Sequence, residues 1–410
     1  MSYFRPRAPI PDSTEPAIAF VLALARALHR YGTPAHRLEE AMRVVCHRLG
    51  LDAEVFTTPT AIIMSFGRDV ELRTRLLRVD GGELDLGKLA RVDALADDVA
   101  AHRVAPDDGL HRLEAIVSAP PETGRVASTL SHALTCGAIA VFFGGSALDV
   151  TVAGAIGLTL GVLAQVLARS TDQARVFELV GATLAATAAN ALSPWIAIEP
   201  SLVTVAALIV LLPGMSLTVA MTELATRNLM AGTARLMAAV IVLLELAVGV
   251  AIGDKVGGAL VDIRHVAPDA LPWWATWAAL GAASLGAATL AQVQRRDLAW
   301  VIAACVAGYV GSRYGTAWLG PQLGVLVGAF ALGVLSNVFA RRLQRPAQIV
   351  QVPSVLLLVP GSMGFRGMES LLDRDTLTGV ETVFAMFVVA LALVAGLLIA
   401  NAVMSPRRSL

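Results

Sequence analysis

The sequence predicts an α-helical polytopic membrane protein. About ten transmembrane helices form two inverted five-helix repeats, behind a small α+β cytosolic N-terminal domain. Three observations predict it. Of the 410 residues, 56% are hydrophobic and only 16% charged, against roughly 25% charged in an ordinary soluble domain. The charges are unevenly divided: residues 1–119 hold 32 of the 64, about 27% of that segment, and the remaining 291 residues hold the rest, about 11%. The first density suits a soluble domain and the second a membrane domain. Finally, Pro-Gly interrupts two long apolar segments 147 residues apart, at Pro213-Gly214 and Pro360-Gly361.

The soluble part, 1–119, opens on a helix from Pro16 to about Tyr31, stopped at Gly32. Thr33 is placed to cap a second helix with Pro34 at its first position, running to Gly50. Its apolar face is Leu38, Met42, Val45 and Leu49, at helical spacing. Strands follow in AEVFTT, AIIMSF and VELRTRLLRV, then a Gly81-Gly82 turn. LDLGKLARVDALADDVAAHR reads as a helix, and a last one runs from Pro106 toward Ala119. No catalytic set stands out. His29, His36 and His47 are candidates by residue type alone. Cys46 and His47 are helix neighbours about 100° apart and do not face each other. Glu39 and Glu40 read as a solvated face with Arg43 in ion-pair reach.

Ten segments after residue 119 are long and apolar enough to span. They are 129–148, 150–168, 174–193, 201–227, 233–253, 273–291, 298–315, 317–339, 349–372 and 378–404. With the N-terminus inside, cytoplasmic segments carry 12 cationic residues, among them Arg169, Arg175, Arg341, Arg342, Arg407 and Arg408, and external segments five. This bias places both termini in the cytoplasm. The six tryptophans fall near span ends, where aromatic belts form. Glycine-rich stretches such as GAIGLTLG read as close helix packing. No cleaved signal peptide is expected, since the first 16 residues lack an apolar core. The three cysteines match no metal spacing, zero net charge indicates no nucleic-acid partner, and no cofactor is expected.

LLPGMSLTVAMTELATRN (211–228) matches LVPGSMGFRGMESLLDRD (358–375), with Glu223 and Glu369 ten and nine residues beyond their prolines. The membrane part therefore divides at 120–255 and 256–410. Five spans per half is odd, so the halves are inverted. That arrangement recurs in secondary transporters, which bind substrate at the midplane between broken helices. Proline removes an amide donor and glycine lets the chain turn. Amides at the start of the following half-helix can receive a carboxylate, and freed carbonyls just before it an ammonium group. The candidate substrate residues are Pro213, Gly214, Met215, Ser216, Thr218, Pro360, Gly361, Ser362 and Met363. The hydroxyls of Ser216, Thr218, Thr222 and Ser362 could serve a ligand or re-satisfy freed backbone. The other reading of each Pro-Gly pair is a simple helix kink.

Glu245 lies near the centre of the fifth span, so it should face the bundle interior, and it is the candidate for proton coupling. Its bland reading is a protonated packing residue. Glu223 and Glu369 are candidate gate acids or interfacial charges. Glu178 is placed early in the third span. Asn190 and Asn337 lie late in theirs and could bind ligand or cap a helix. The central span regions hold no Lys or Arg, which favours a zwitterion over a dicarboxylate unless Arg366 lies deep.

RYGTPAHRLEEAMRVVCHRLGLDAEVFTTPTAIIMSF (30–66) resembles the threonine/serine exporter family through Gly32, Arg37, Glu39, Gly50 and Thr58-Pro59-Thr60. LLRVDGGELDLGKLARVDAL, the two Pro-Gly segments and the ten-span layout agree with it. The resemblance covers nearly the whole chain and is to the fused form, in which both halves lie on one chain. It implies a bacterial inner-membrane exporter of threonine and serine, driven by the proton motive force. Related split members imply the alternative of dicarboxylate export, notably succinate. The expected partners are a small-molecule substrate, protons and the bilayer, with self-association left open. A membrane sensor would explain the soluble domain but not the repeat. An enzyme lacks a visible catalytic set, and an ATP-driven pump lacks a G-x-x-x-x-G-K-[ST] loop.

Overall fold

The computed structural model describes residues 15–67, 72–79, 84–168, 170, 174, 176–372 and 374–406. The expected Gly81-Gly82 turn and Arg169, Arg175, Arg407 and Arg408 lie outside them. The chain is mostly helical, with one small sheet near its N-terminus.

The N-terminal domain packs α1 (Glu15–Arg30) and α2 (Ala35–Arg48) against a three-stranded antiparallel sheet, β1 (Ala53–Thr58), β2 (Ala61–Phe66) and β3 (Arg73–Arg78), in the order β1-β2-β3. Alternation along β2 buries Ile62, Met64 and Phe66 against Phe20, Leu24, Leu38 and Met42. Helices α3 (Leu86–Ala100) and α4 (Pro106–Ser118) complete the domain. Two sequence expectations are corrected. Thr33 does not cap α2: Pro34 holds the cap position without a side-chain bond, and the Thr33 hydroxyl is buried with no partner. Glu39 is not a solvated charge, because it accepts from the Thr57 amide at 2.8 Å and the Thr57 hydroxyl at 2.9 Å, tying α2 to β1.

The rest is helical: α5 (Arg125–Phe142), α6 (Ala147–Leu167), α7 (Phe177–Leu192), α8 (Pro200–Ala207), α9 (Gly214–Ala225), α10 (Leu229–Leu260), α11 (Trp273–Leu290), α12 (Leu298–Leu343), α13 (Gln348–Val355), α14 (Gly361–Leu372) and α15 (Thr376–Val403). Among the described residues, five helical segments are long and apolar enough to cross a membrane: α5, α6, α10, α15 and the segment Arg295–Leu343 that contains α12. The 46 residues of α12 would extend about 69 Å if straight, over twice a hydrocarbon core of about 30 Å. They do not run straight. Gly320 turns at φ +82° before Pro321, and the two arms fold back on each other. A methyl group on Gly311 would stand 3.0 Å from the Gly328 Cα, an approach only glycines allow. The turn falls at Gly320, inside the expected eighth span (317–339) and not at its expected start.

Matched contacts recur along the membrane part. Gly249 abuts Ala182 and Gly396 abuts Ala329; Gly232 abuts Leu224 and Gly379 abuts Leu371. Asn190 donates to Asp254 at 2.7 Å, and Asn337 to Asn401 at 2.9 Å. Each of these residues lies 147 positions from its counterpart. The asparagines therefore bridge helix pairs, α7 to α10 and the second arm of α12 to α15. Trp195, Trp273, Trp274 and Trp318 are exposed at helix ends or in the turn after α7.

Candidate functional site

The two Pro-Gly breaks meet. Helix α8 stops at Ala207, turns through 208–212, and the chain restarts as α9 at Gly214. Helix α13 stops at Val355 and α14 restarts at Gly361. A methyl group on Gly361 would stand 3.3 Å from the Gly214 Cα and 3.3 Å from the Leu212 Cβ, and one on Gly214 would collide with the Val359 side chain. Two helix starts therefore share one point. Any helix start leaves its first amides without intrahelical acceptors. Here these belong to Met215 and Ser216 on α9, and to Ser362 and Met363 on α14.

A cavity of about 200 Å³ opens beside this junction. Gly214 and Gly361 line it, with Leu212 and Val359 from the break segments, Thr135 and Ile139 from α5, and Ala287, Leu290 and Ala291 from the end of α11. Leu84 of the N-terminal domain also lines it. Among the described residues, none of those that line it is charged.

The sequence-predicted residues divide between this junction and other places. Pro213, Gly214, Pro360 and Gly361 form the junction. Met215 and Met363 are half-buried and pack on the neighbouring apolar clusters. Ser216 and Ser362 are half-buried in the first turns of their helices. Thr218 donates to the Gly214 carbonyl at 3.1 Å and Thr222 to the Thr218 carbonyl at 2.8 Å, so both hydroxyls serve the backbone. Arg366 is exposed and stacks over Phe143, 5.0 Å from the ring centroid, so it supplies no cation to the cavity.

The acids lie away from the junction. Glu245 is half-buried on the flank of α10, within electrostatic reach of Glu178 on α7, and does not line the cavity. Glu369 is half-buried on α14. Glu223, at the far end of α9, is fully buried. It accepts from Arg235 of α10 (Nε to Oε2, 3.1 Å) and from the Ala35 amide at the start of α2 (3.2 Å). Sequence reasoning missed Ala35 and Leu84 as contributors to the membrane part, and no local pattern marks either.

Near this contact the domain is unusually poor in satisfied polar atoms. Among the described residues, His29 Nδ1, Thr33 Oγ1 and His36 Nδ1 are buried without partners. Burial pushes both histidines toward the neutral form, His36 down to about 4, helped by the charge of Arg37. Burial likewise pushes the Cys46 thiol up to about 12, which leaves it inert. Among the described residues no cluster suited to a metal ion occurs.

A mostly helical chain with five described segments long and apolar enough to cross a membrane defines a helical membrane protein. The chain matches the ThrE family, described as threonine/serine exporters, over residues 19–257, and the related ThrE_2 group over 276–403. It belongs to the threonine/serine exporter family. It is also similar to the pheromone-regulated membrane protein 10 of Eremothecium gossypii, 26% identical over 84% of this chain and 48% of that protein. The Saccharomyces cerevisiae protein of the same name is 28% identical, over 86% of this chain and 47% of its own length. The chain thus spans about half the length of these relatives. No solved structure matches it.

Proposed function

We propose that this chain is a secondary active exporter of threonine and serine, driven by the proton motive force, with its substrate site at the junction of the two Pro-Gly breaks. The observation that carries this reading is the meeting of two helix starts at one uncharged cavity. Their amides suit a carboxylate, and the carbonyls freed by the turn after α8 suit an ammonium group. A cavity of about 200 Å³ is smaller than the roughly 300–1,000 Å³ of sites for drug-sized ligands, and suits a small metabolite. The absence of a cation in its lining favours a zwitterion over a dicarboxylate such as succinate.

The reading includes ten spans in two inverted halves, with both termini on the cytosolic side. The glycine and asparagine contacts repeated at 147 residues support equivalent halves, and the arginine bias supports the orientation. Counterflow tests the function. Proteoliposomes of the full chain, preloaded with unlabelled substrate, should accumulate labelled threonine and serine but not succinate. Uptake of succinate alone, or of none of the three, refutes the assignment.

A further inference from the structure

The N-terminal domain is joined to the helices that follow it at two points, one of them at the cavity. At the first, segment 84–87 lies on the end of α11. The Leu86 amide donates to the Ala291 carbonyl and the Gly87 amide to the Gln292 carbonyl, both at 3.0 Å. A methyl group on Gly87 would stand 2.9 Å from that Gln292 oxygen, so glycine permits the close backbone approach. Asp85 caps α3 through the Lys88 amide at 2.8 Å and sets the direction of the chain just before the helix. The residue before this cap is Leu84, whose side chain lines the cavity alongside Gly214 and Gly361.

The second point is the Ala35 amide on Glu223, with Arg235 completing the carboxylate's partners. The two points are mechanically linked. The turn between α1 and α2 backs the Leu84 side chain: a methyl group on Gly32, which sits at φ +86°, would stand 3.2 Å from Leu84 Cδ1. Ala35 lies three residues beyond Gly32. Moving α2 off Glu223 therefore moves the support of Leu84.

We propose that the N-terminal domain is the gate of the cavity on its own side of the membrane, with Leu84 as the plug and the Ala35–Glu223–Arg235 contact as the latch. Substrate entering from that side requires the domain to lift from α9 and α11. This assignment rests on the reading of the cavity as the transport path, but it can be tested without a substrate.

The test labels Val210→Cys, a cavity-lining position, in the full chain in proteoliposomes. A membrane-impermeant maleimide is added on the domain's side, with the parent chain and its three buried cysteines as background. Labelling should be slow with Leu84 in place. Leu84→Ala should accelerate it about tenfold, because protection falls as the closed state loses buried contacts. Leu84→Met, which conserves volume, should keep it slow, and Leu84→Phe should slow it further. Glu223→Ala, which leaves the plug intact and removes the acceptor of the Ala35 amide, should accelerate it too. Equal labelling rates in all four variants and the Leu84 chain would overturn the gate even if counterflow of threonine succeeds. Plug-dependent labelling in a chain that fails counterflow would leave the gate standing and sink the exporter assignment instead.

Discussion

Replacing Arg235 by Met isolates the worth of the ion pair that holds Glu223, the residue on α9 that the domain contacts. Glu223 has no exposed surface, while Arg235 is 29% exposed, so the carboxylate carries the desolvation. The substitution removes the Nε bond at 3.1 Å and the longer one at 3.4 Å, leaving the Ala35 amide at 3.2 Å. Removing one partner of a buried pair costs about 3–5 kcal/mol. Arg235→Met should therefore lose about 3–5 kcal/mol. Adding Glu223→Gln should recover most of the loss, because a neutral amide can still accept from Ala35. Denaturant unfolding of the purified chain in detergent measures this. A loss below about 1 kcal/mol, or a double variant no better than the single, would refute the view of Glu223 as a buried charge held by Arg235.

Three further outcomes are expected. Gly214→Val and Gly361→Val should each abolish threonine counterflow while the chain still inserts into membranes, since the added side chains meet Val359 and the opposite break; wild-type flux in either would remove the junction from the transport path. Glu245→Gln should flatten the pH dependence of transport and leave the folded yield unchanged; an unaltered pH profile would exclude Glu245 as the coupling group. His36 is held at about 4 against an ordinary value of 6.5, so the unfolded chain binds more protons between these values and stability rises with pH across that window. It should fall by of order 3 kcal/mol from pH 6.5 to below pH 4, and His36→Gln should remove that part of the slope in thermal melts.

Most of the architecture is local and was legible in the chain. Uneven charge density separates 1–119 from the rest, and helical spacing places α1 through α4 within a few residues. Proline and glycine mark the breaks, because an imino nitrogen and a missing Cβ act on the backbone wherever they stand. The sequence divides the apolar run of α12 at 316, four residues before the turn at Gly320. The cap of α2 lies one residue later than the sequence suggests, at Pro34, and the first amide of the helix, Ala35, is bonded to Glu223.

By itself the sequence determined that this is a membrane protein with a charge-rich N-terminal segment, two matched broken helices and the pattern of the exporter family. These properties follow from composition, periodicity and backbone chemistry, which need no distant partner. Only the tertiary structure decided that the breaks touch, that Glu223 is held between Arg235 and an amide 188 residues earlier, that Glu245 sits on a helix flank, and that Leu84 enters the cavity. Each of these is a contact between segments far apart along the chain. Burial and pairing at such a contact depend on how whole helices pack, and no residue pattern within either segment records the other.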